Sequence, residues 1–575
     1  MCGICGVKGI PLDHNMIDRK NMLKSLFHRG PDSQGEYCDS EERLYLGASR
    51  LSIVDLTSFG SQPVFNEDKT IVLVCNGEIY NALSLKKELQ ERSHRFYSTT
   101  DIEVIVHLYE EMGELCLSKL KGMFAFALWD KRKKSLFIAR DRMGIKPLYY
   151  HHANGIFAFS SELTSLMKLT CIRREIDLRA LDLYFSLEYV PAPFSMYRGI
   201  FKLMPGSFLT YSRSELRMHP YWDLDQDKSQ AHMLCFTSAA ERLEQLLKAS
   251  VREHLIADVP VGVFLSGGLD SSILVALANH VLQRKCITFS IGFDEKTFDE
   301  SPYAQNVARF LGTQHHHAVF TLRNFLDIFH SVSYQMDEPF GDLSIFPTNF
   351  LSRFARYHVK TVLSGDGADE LFMGYPTYKA HQFLEGFKGL PLAFSKNMLR
   401  LLAGILPVKH AYFSIDFKIK QLLRAEEVWQ DPCMRHSHWM GSFLNKEKDL
   451  LYSAALRQKI NSNELSNYYY GLFEKYQQMS VLKRIQYMDI YGYLSNDLLV
   501  KADRASMFAS LECRVPYLDH ILMEFIWNLP TEYIYQKYLL KFVFRKYLPK
   551  EVIQRKKQGF SMPFAIWLGI KSLLV

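Results

Sequence analysis

Cys2 follows the initiator Met1 directly and precedes Gly3, a small pair that suits removal of Met1 and exposure of a cysteine as the first residue. Such exposure supplies a nucleophile and a base together. A free α-amine has a pKa of about 7.7 to 8.0 and sits on the same residue as the thiol, so it can take the thiol proton and later hand it to a leaving amine. Taken alone, this start better suits a buried inert cysteine or a metal-binding Cys2/Cys5 pair, although no second C-x-x-C completes a zinc site. Other residues shift the balance. Arg50, within the run Ser49 to Asp55, offers a planar fork for an α-carboxylate. Asn76-Gly77-Glu78 offers a side-chain amide and a backbone N–H for a tetrahedral oxyanion or, by itself, a hairpin turn. Thr100-Asp101 offers an acid for an α-ammonium.

The second half carries a different chemistry. Ser266-Gly267-Gly268-Leu269-Asp270-Ser271-Ser272 follows an apolar strand and opens an apolar helix, where successive N–H groups and a helix N-terminus can hold phosphate. No G-K-[ST] closes it, so it is not a Walker A loop. Hydroxyls and backbone donors here suit a pyrophosphate, with Asp270 placed for Mg²⁺; a structural strand-to-helix turn is the alternative. Ser364-Gly365-Asp366-Gly367-Ala368-Asp369-Glu370 again follows a strand, and its acids could complete the Mg²⁺ shell in the same crevice. The consecutive His315, His316 and His317 cannot all point to one centre in regular structure and are expected to begin a strand.

These residues need two kinds of scaffold. In the first two hundred residues, Thr70 to Cys75 ended by Asn76-Gly77, Gly122 to Trp129, and Ser135 to Ala139 predict antiparallel strands, with helices at Leu83 to Arg92 and Ile102 to Met112. From about Ala240 the pattern becomes strand, glycine-rich loop, helix. Val259 to Leu265, Cys286 to Ile291 and Val359 to Leu363 predict a parallel sheet covered by helices, and Glu370 to Leu548 reads as mainly helical. The polar stretch Tyr211 to Gln230, with Pro220 and no sustained periodicity, marks the boundary.

Composition excludes other classes. The 575 residues are 48% hydrophobic and 23% charged, which fits an ordinary globular protein. A net charge of +7 over this length is too dilute for a nucleic-acid footprint. Ten irregularly spaced cysteines suit a reducing cytoplasm, and neither a secretory signal nor a membrane span is expected.

Five ordered motifs carry a resemblance: Met1-Cys2-Gly3-Ile4-Cys5-Gly6, His28-Arg29-Gly30-Pro31-Asp32, Ser49 to Asp55, Cys75 to Asn81, and Thr100-Asp101-Ile102-Glu103. Together they resemble the glutaminase domain of class II glutamine amidotransferases. The two glycine-rich loops, with Lys501 to Met507 and Ser510 to Asp519, resemble the ATP pyrophosphatase fold of the glutamine-hydrolysing asparagine synthetase family. The resemblance implies an N-terminal-nucleophile αββα sandwich over 1–210, a linker over 211–238, and an α/β synthetase domain with a helical C-terminal part over 239–575. It implies that Cys2 attacks a glutamine amide, with Arg50, Asn76, Gly77, Glu78 and Asp101 binding glutamine or the oxyanion. Leu265 and Ile291 should border the adenine of ATP, Ser266, Gly268, Asp270 and Ser271 its pyrophosphate, and Asp270 with Asp369 the Mg²⁺, with Ser364 and Gly365 also binding ATP. Lys537 resembles the lysine that stabilises charge at the α-phosphate, and Lys556 and Lys557 are weaker candidates.

By the resemblance, aspartate is activated as β-aspartyl-AMP and amidated to asparagine in the cytoplasm. The expected partners are glutamine, aspartate or another carboxylate acceptor, and ATP, with no nucleic acid or membrane; a homodimer is left open. Three features depart from the family. The second loop reads Gly365-Asp366-Gly367-Ala368 where well-known members resemble Gly-Glu-Gly-Ser, Lys541 stands in place of the usual arginine, and the chain stops at Val575 where relatives tend to continue. Two alternatives therefore stand beside asparagine synthesis: amidation of a sugar uronic acid or peptide acid, and a catalytically impaired paralogue.

Overall fold

The structure, a computed structural model, describes residues 2–11, 16–224, 234–283, 285–385, 415–461, 463–556, 559 and 561–569, with backbone alone at 415–418 and 565. Lys557 lies outside the described residues.

Two antiparallel sheets of six strands form the first half. The first holds β1 (Cys2–Lys8), β2 (Ser33–Asp39), β3 (Leu44–Arg50), β8 (Tyr149–Ala153), β9 (Ile156–Ser160) and β10 (Ile200–Lys202), in the order β10-β8-β9-β1-β3-β2. The second holds β4 (Val64–Phe65), β5 (Ile71–Ile79), β6 (Gly122–Asp130), β7 (Ser135–Arg140), β11 (Ser207–Ser212) and β12 (Glu215–Pro220), in the order β12-β11-β7-β6-β5-β4. Strand alternation builds the layers. On β5, Val72 and Val74 face the first sheet with Ile4 and Leu46, while Leu73 and Cys75 face outward against the helix Val104–Met112. Helix Met16–Ser25 covers the outer face of the first sheet through Met22 and Leu23. The result is the expected αββα sandwich.

Two expectations are corrected. Asn76-Gly77 does not end a strand: β5 runs on to Ile79, and Gly77 pairs with Phe124 so closely that a Cβ there would lie 2.2 Å from the Met123 carbonyl. Nine consecutive pairs with β6 outweigh the local turn preference of Asn-Gly. The polar stretch after Tyr211 is a hairpin, with Arg213 and Ser214 at positive φ in its turn, and it carries sheet pairing to Pro220. Its strand lacks apolar alternation because it is a solvent-facing edge.

The second half holds a wholly parallel sheet of β13 (Val261–Phe264), β14 (Ile287–Phe293), β15 (Gln314–Phe320), β16 (Thr361–Leu363) and β17 (Glu512–Arg514), ordered β15-β14-β13-β16-β17. Helices pack both faces: Val263 and Leu265 meet helices 236–254 and 269–282, while Phe289 and Ile291 meet helices 322–335 and 345–356. Strand β17 interrupts the region read as helical; three buried residues are too few to show a period. His315 and His317 hydrogen-bond Ser290, whereas His316 stacks on Phe289 and packs against His358, so the histidines diverge. Among the described residues no helix is long and apolar enough to cross a membrane.

Candidate active sites

Antiparallel register places Arg50 directly opposite Cys2 at the end of β1 and β3. The Cys2 N–H donates to Asn76 Oδ1 at 3.0 Å, and Asn76 Nδ2 is buried with no hydrogen-bond partner, an orphan donor beside the thiol. Burial is the main influence on the Cys2 thiol and raises its pKa, opposed by the charge of Arg50 and an N–H from Leu51. The thiol therefore stays protonated until a neighbouring base takes its proton. The Arg50 guanidinium is anchored by the carbonyls of Val54, Asp55 and Thr57 at 3.0, 2.5 and 3.4 Å. Cys2 and Cys5 are three residues apart on one strand and face opposite sides, so they cannot share a metal.

Sequence reasoning missed Gln62. Its amide donates to Cys2 Sγ at 3.2 Å and to the Cys75 carbonyl at 2.8 Å, and its oxygen accepts the Cys75 N–H at 2.6 Å. No spacing links residue 62 to 2; only the fold-back of the loop after β3 brings them together.

Glu78 and Asp101 sit on the side of this pocket that meets the second half. Asp101 Oδ2 accepts the Ile79 N–H at 2.5 Å, and Arg514 Nη2 stands 3.4 Å from Glu78. Arg514 is committed to Glu512 at 2.5 Å; burial would raise that carboxyl, but the surrounding positive charge, with Arg514 and Lys146 part of it, holds it down to about 2. Burial raises both Glu78 and Asp101, and the other carboxylates add to the rise at Glu78. Three buried acids thus share one guanidinium, a field that favours an added cation.

In the second half, Leu265, Ser266, Asp270, Ser271, Ile291, Ser364, Gly365 and Asp369 line one cavity of about 370 Å³. Gly267 has φ +72°, and a Cβ there would lie 2.5 Å from the Ala304 nitrogen, so this turn requires glycine. Gly268 is not on the cavity wall: its N–H is taken by Ser266 Oγ and its carbonyl by Ser272 Oγ. Lys537 Nζ lies 2.6 Å from both Asp270 Oδ2 and Asp369 Oδ1. Gln536 and Lys537 hold this position with φ of 53° and 60°, a strained left-handed pair fixed by N–H bonds to Met373 and Phe372 carbonyls. Gly374 was also missed; a Cβ there would meet Asp369 and the Lys537 side chain at 2.2 and 2.3 Å. Lys556 is exposed and belongs to neither constellation.

The segment containing β17 joins the two centres. Glu512 and Arg514 face the thiol pocket, and Tyr517 Oη donates to the Asp270 carbonyl at 3.1 Å. Between the halves lie two small interior voids of about 10 and 20 Å³, both bordered by Ile145.

Comparison with known proteins agrees with this arrangement. The family model described as asparagine synthase matches residues 242–574, and the glutamine amidotransferase domain model matches residues 1–222. Asparagine synthetase [glutamine-hydrolyzing] 1 of Bacillus subtilis is 33% identical over 99% of this chain and 88% of its own length. Asparagine synthetase [glutamine-hydrolyzing] 3 of the same organism is 30% identical, over 97% and 87%. A fungal relative, amidase chry2 of Gibberella zeae, is 29% identical over 95% and 85%. The chain belongs to the asparagine synthase family.

Proposed function

We propose that this protein converts L-aspartate, L-glutamine, ATP and water to L-asparagine, L-glutamate, AMP and diphosphate in the cytoplasm, with the glutaminase part ending after Pro220 and the synthetase part following. The reading rests chiefly on the bridge formed by Glu512, Arg514 and Tyr517, which touches the thiol pocket on one side and the Asp270 loop on the other.

In the thiol pocket, the α-amine of processed Cys2 takes the thiol proton and Sγ attacks the glutamine amide carbon. The oxyanion is held by Asn76 Nδ2, with the Gly77 N–H as second donor, and the proton passes to the departing ammonia. Gln62 orients Sγ. Arg50 takes the substrate α-carboxylate, while Glu78 and Asp101 receive its α-ammonium, the cation their shared field lacks. Water then releases glutamate from the thioester.

In the large cavity, Leu265 and Ile291 border the adenine, and Ser266, Ser271, Ser364 and Gly365 the phosphates. Asp270 and Asp369 would hold Mg²⁺; the buried, unpartnered Asp270 Oδ1 fits such a role. When bound there, the ion neutralises charge on the triphosphate. The aspartate side-chain carboxylate attacks the α-phosphorus, expelling diphosphate, and Lys537 offsets the charge that builds on the α-phosphate. Ammonia reaches β-aspartyl-AMP through the interior between the halves and displaces AMP.

A second reading changes the acceptor. In the second loop, Ser364 Oγ donates to Asp366 at 2.6 Å and draws this short acid back toward its own strand, where a longer side chain would reach further. An acceptor screen read by AMP formation separates the two. AMP formed with aspartate alone supports asparagine synthesis, and AMP formed with a uronic acid or peptide acid but not aspartate replaces it.

A further inference from the structure

Four side chains from three separate segments meet on the outer side of the first half, and none of them belongs to either centre. They are Glu67 in the β4–β5 loop, His94 after the helix Ala82–Glu91, and His107 and Glu110 on the helix Val104–Met112. One ligand atom from each lies within 4.8 Å of every other. His94 Nδ1 and His107 Nδ1 each stand 3.3 Å from a Glu67 oxygen, and 3.9 and 3.7 Å from Glu110 Oε2. Tetrahedral zinc with bonds of about 2.0–2.1 Å sets its ligand atoms about 3.3 Å apart, so the two spacings to Glu67 match edges of its coordination shell and the two to Glu110 are longer than such edges.

A second observation points to a ligand. His107 is wholly buried, yet neither ring nitrogen makes a hydrogen bond, although carboxylates surround it. The surroundings also match the outer shell of a metal centre. His94 Nε2 pairs with Glu111 at 3.1 Å, the carboxylate–histidine contact that fixes a ligating ring, and the Glu103 carboxylate lies on the Nε2 side of His107 at 3.8 Å, beyond hydrogen-bond range. Asn66 Nδ2 donates to Glu110 Oε1 at 2.8 Å and so leaves Oε2 directed at the histidines. Phe96 packs against His107 with ring centroids 4.4 Å apart and shields one side, while the partly exposed Glu67 and Glu110 provide entry.

We propose that Glu67, His94, His107 and Glu110 form a tetrahedral zinc site. Two imidazoles and two carboxylates favour zinc over magnesium or calcium, and four protein ligands leave no open position, so the role is structural. The ion ties the 92–97 loop to helix and sheet. Glu103 takes the N–H groups of Tyr97 and Ser98, so the same scaffold leads to Asp101. Any consequence for glutamine binding rests on the role proposed above for Asp101; the metal site itself does not.

The test uses the full chain, stripped with EDTA, desalted, and exposed to Zn²⁺ or Co²⁺. A single zinc ion per chain retained through gel filtration, a raised melting midpoint and the visible absorption of tetrahedral Co²⁺ are expected. His94→Gln and Glu110→Gln should melt cooperatively without metal but lose retention, and Glu111→Gln should bind about 10- to 100-fold more weakly. No retention by the wild type would overturn the site in favour of a protonated His107 held by carboxylates. Equal retention by the ligand variants would overturn it in favour of binding elsewhere.

Discussion

Arg29 and Asp503 form a buried ion pair across the two halves: Arg29 Nη2 donates to Asp503 Oδ1 at 2.9 Å, and Nη1 stands 2.8 Å from Oδ2. Arg29 also donates to the Cys2 carbonyl at 3.2 Å, and Asp503 lies on the helix Leu499–Met507, whose Lys501 and Ala502 line the large cavity. Glu162 joins the network through Arg29, Arg504 and His28. One element therefore touches the strand of Cys2 and the wall of the large cavity.

Breaking that pair should uncouple the reactions. Asp503→Asn leaves the buried Arg29 with Glu162 as its remaining acid and is expected to cost about 3–5 kcal/mol of stability. At a temperature where the variant stays folded, more glutamine should be hydrolysed per AMP formed. An unchanged ratio would show that the pair is structural only.

Cys2→Ala should abolish glutamine-supported amide synthesis while ammonia-supported synthesis is largely kept, measured as asparagine formed from each nitrogen source. Loss of both would contradict separate centres.

Gln62→Leu strands the Cys75 N–H and carbonyl and releases Sγ. A stability loss of about 1–3 kcal/mol for each buried group left unpaired is expected, with lower kcat for glutamine hydrolysis. Ammonia-supported synthesis should change much less, and a matched fall in both rates would place Gln62 outside the thiol chemistry.

Asp270→Asn should remove diphosphate release while glutamine hydrolysis persists. A dependence of diphosphate release on Mg²⁺ that survives the substitution would reject Asp270 as a ligand.

Acid should loosen the contact between the halves. The His254 ring packs on Tyr80 at 4.0 Å, and burial, with Arg514 and Lys121 nearby, holds its pKa down to about 3. The unfolded chain binds this proton near pH 6.5 and the folded chain only near pH 3, so stability rises with pH across that window and is lost as pH falls. From pH 6.5 to 5 the loss from this group is about 2 kcal/mol. His254→Phe keeps a ring on Tyr80 and should flatten the fall in melting midpoint between pH 7 and 5; an equal fall would assign the acid sensitivity elsewhere.

The sequence by itself determined most of the scaffold and carries the residues on which the proposed chemistry rests. Cys2, Asn76, Asp101, Asp270, Asp369 and Lys537 stand in contiguous motifs, and strand alternation and strand–loop–helix order follow from which faces must be buried. Where local preference competed with long-range pairing it misled, as at Asn76-Gly77, which nine cross-strand pairs hold extended. Only tertiary structure decided that Gln62 meets Cys2, that Arg29 meets Asp503, and that Glu67, His94, His107 and Glu110 converge. Such contacts carry no periodic or motif signal, because they arise when separately folded segments pack and each buried polar group must find a partner.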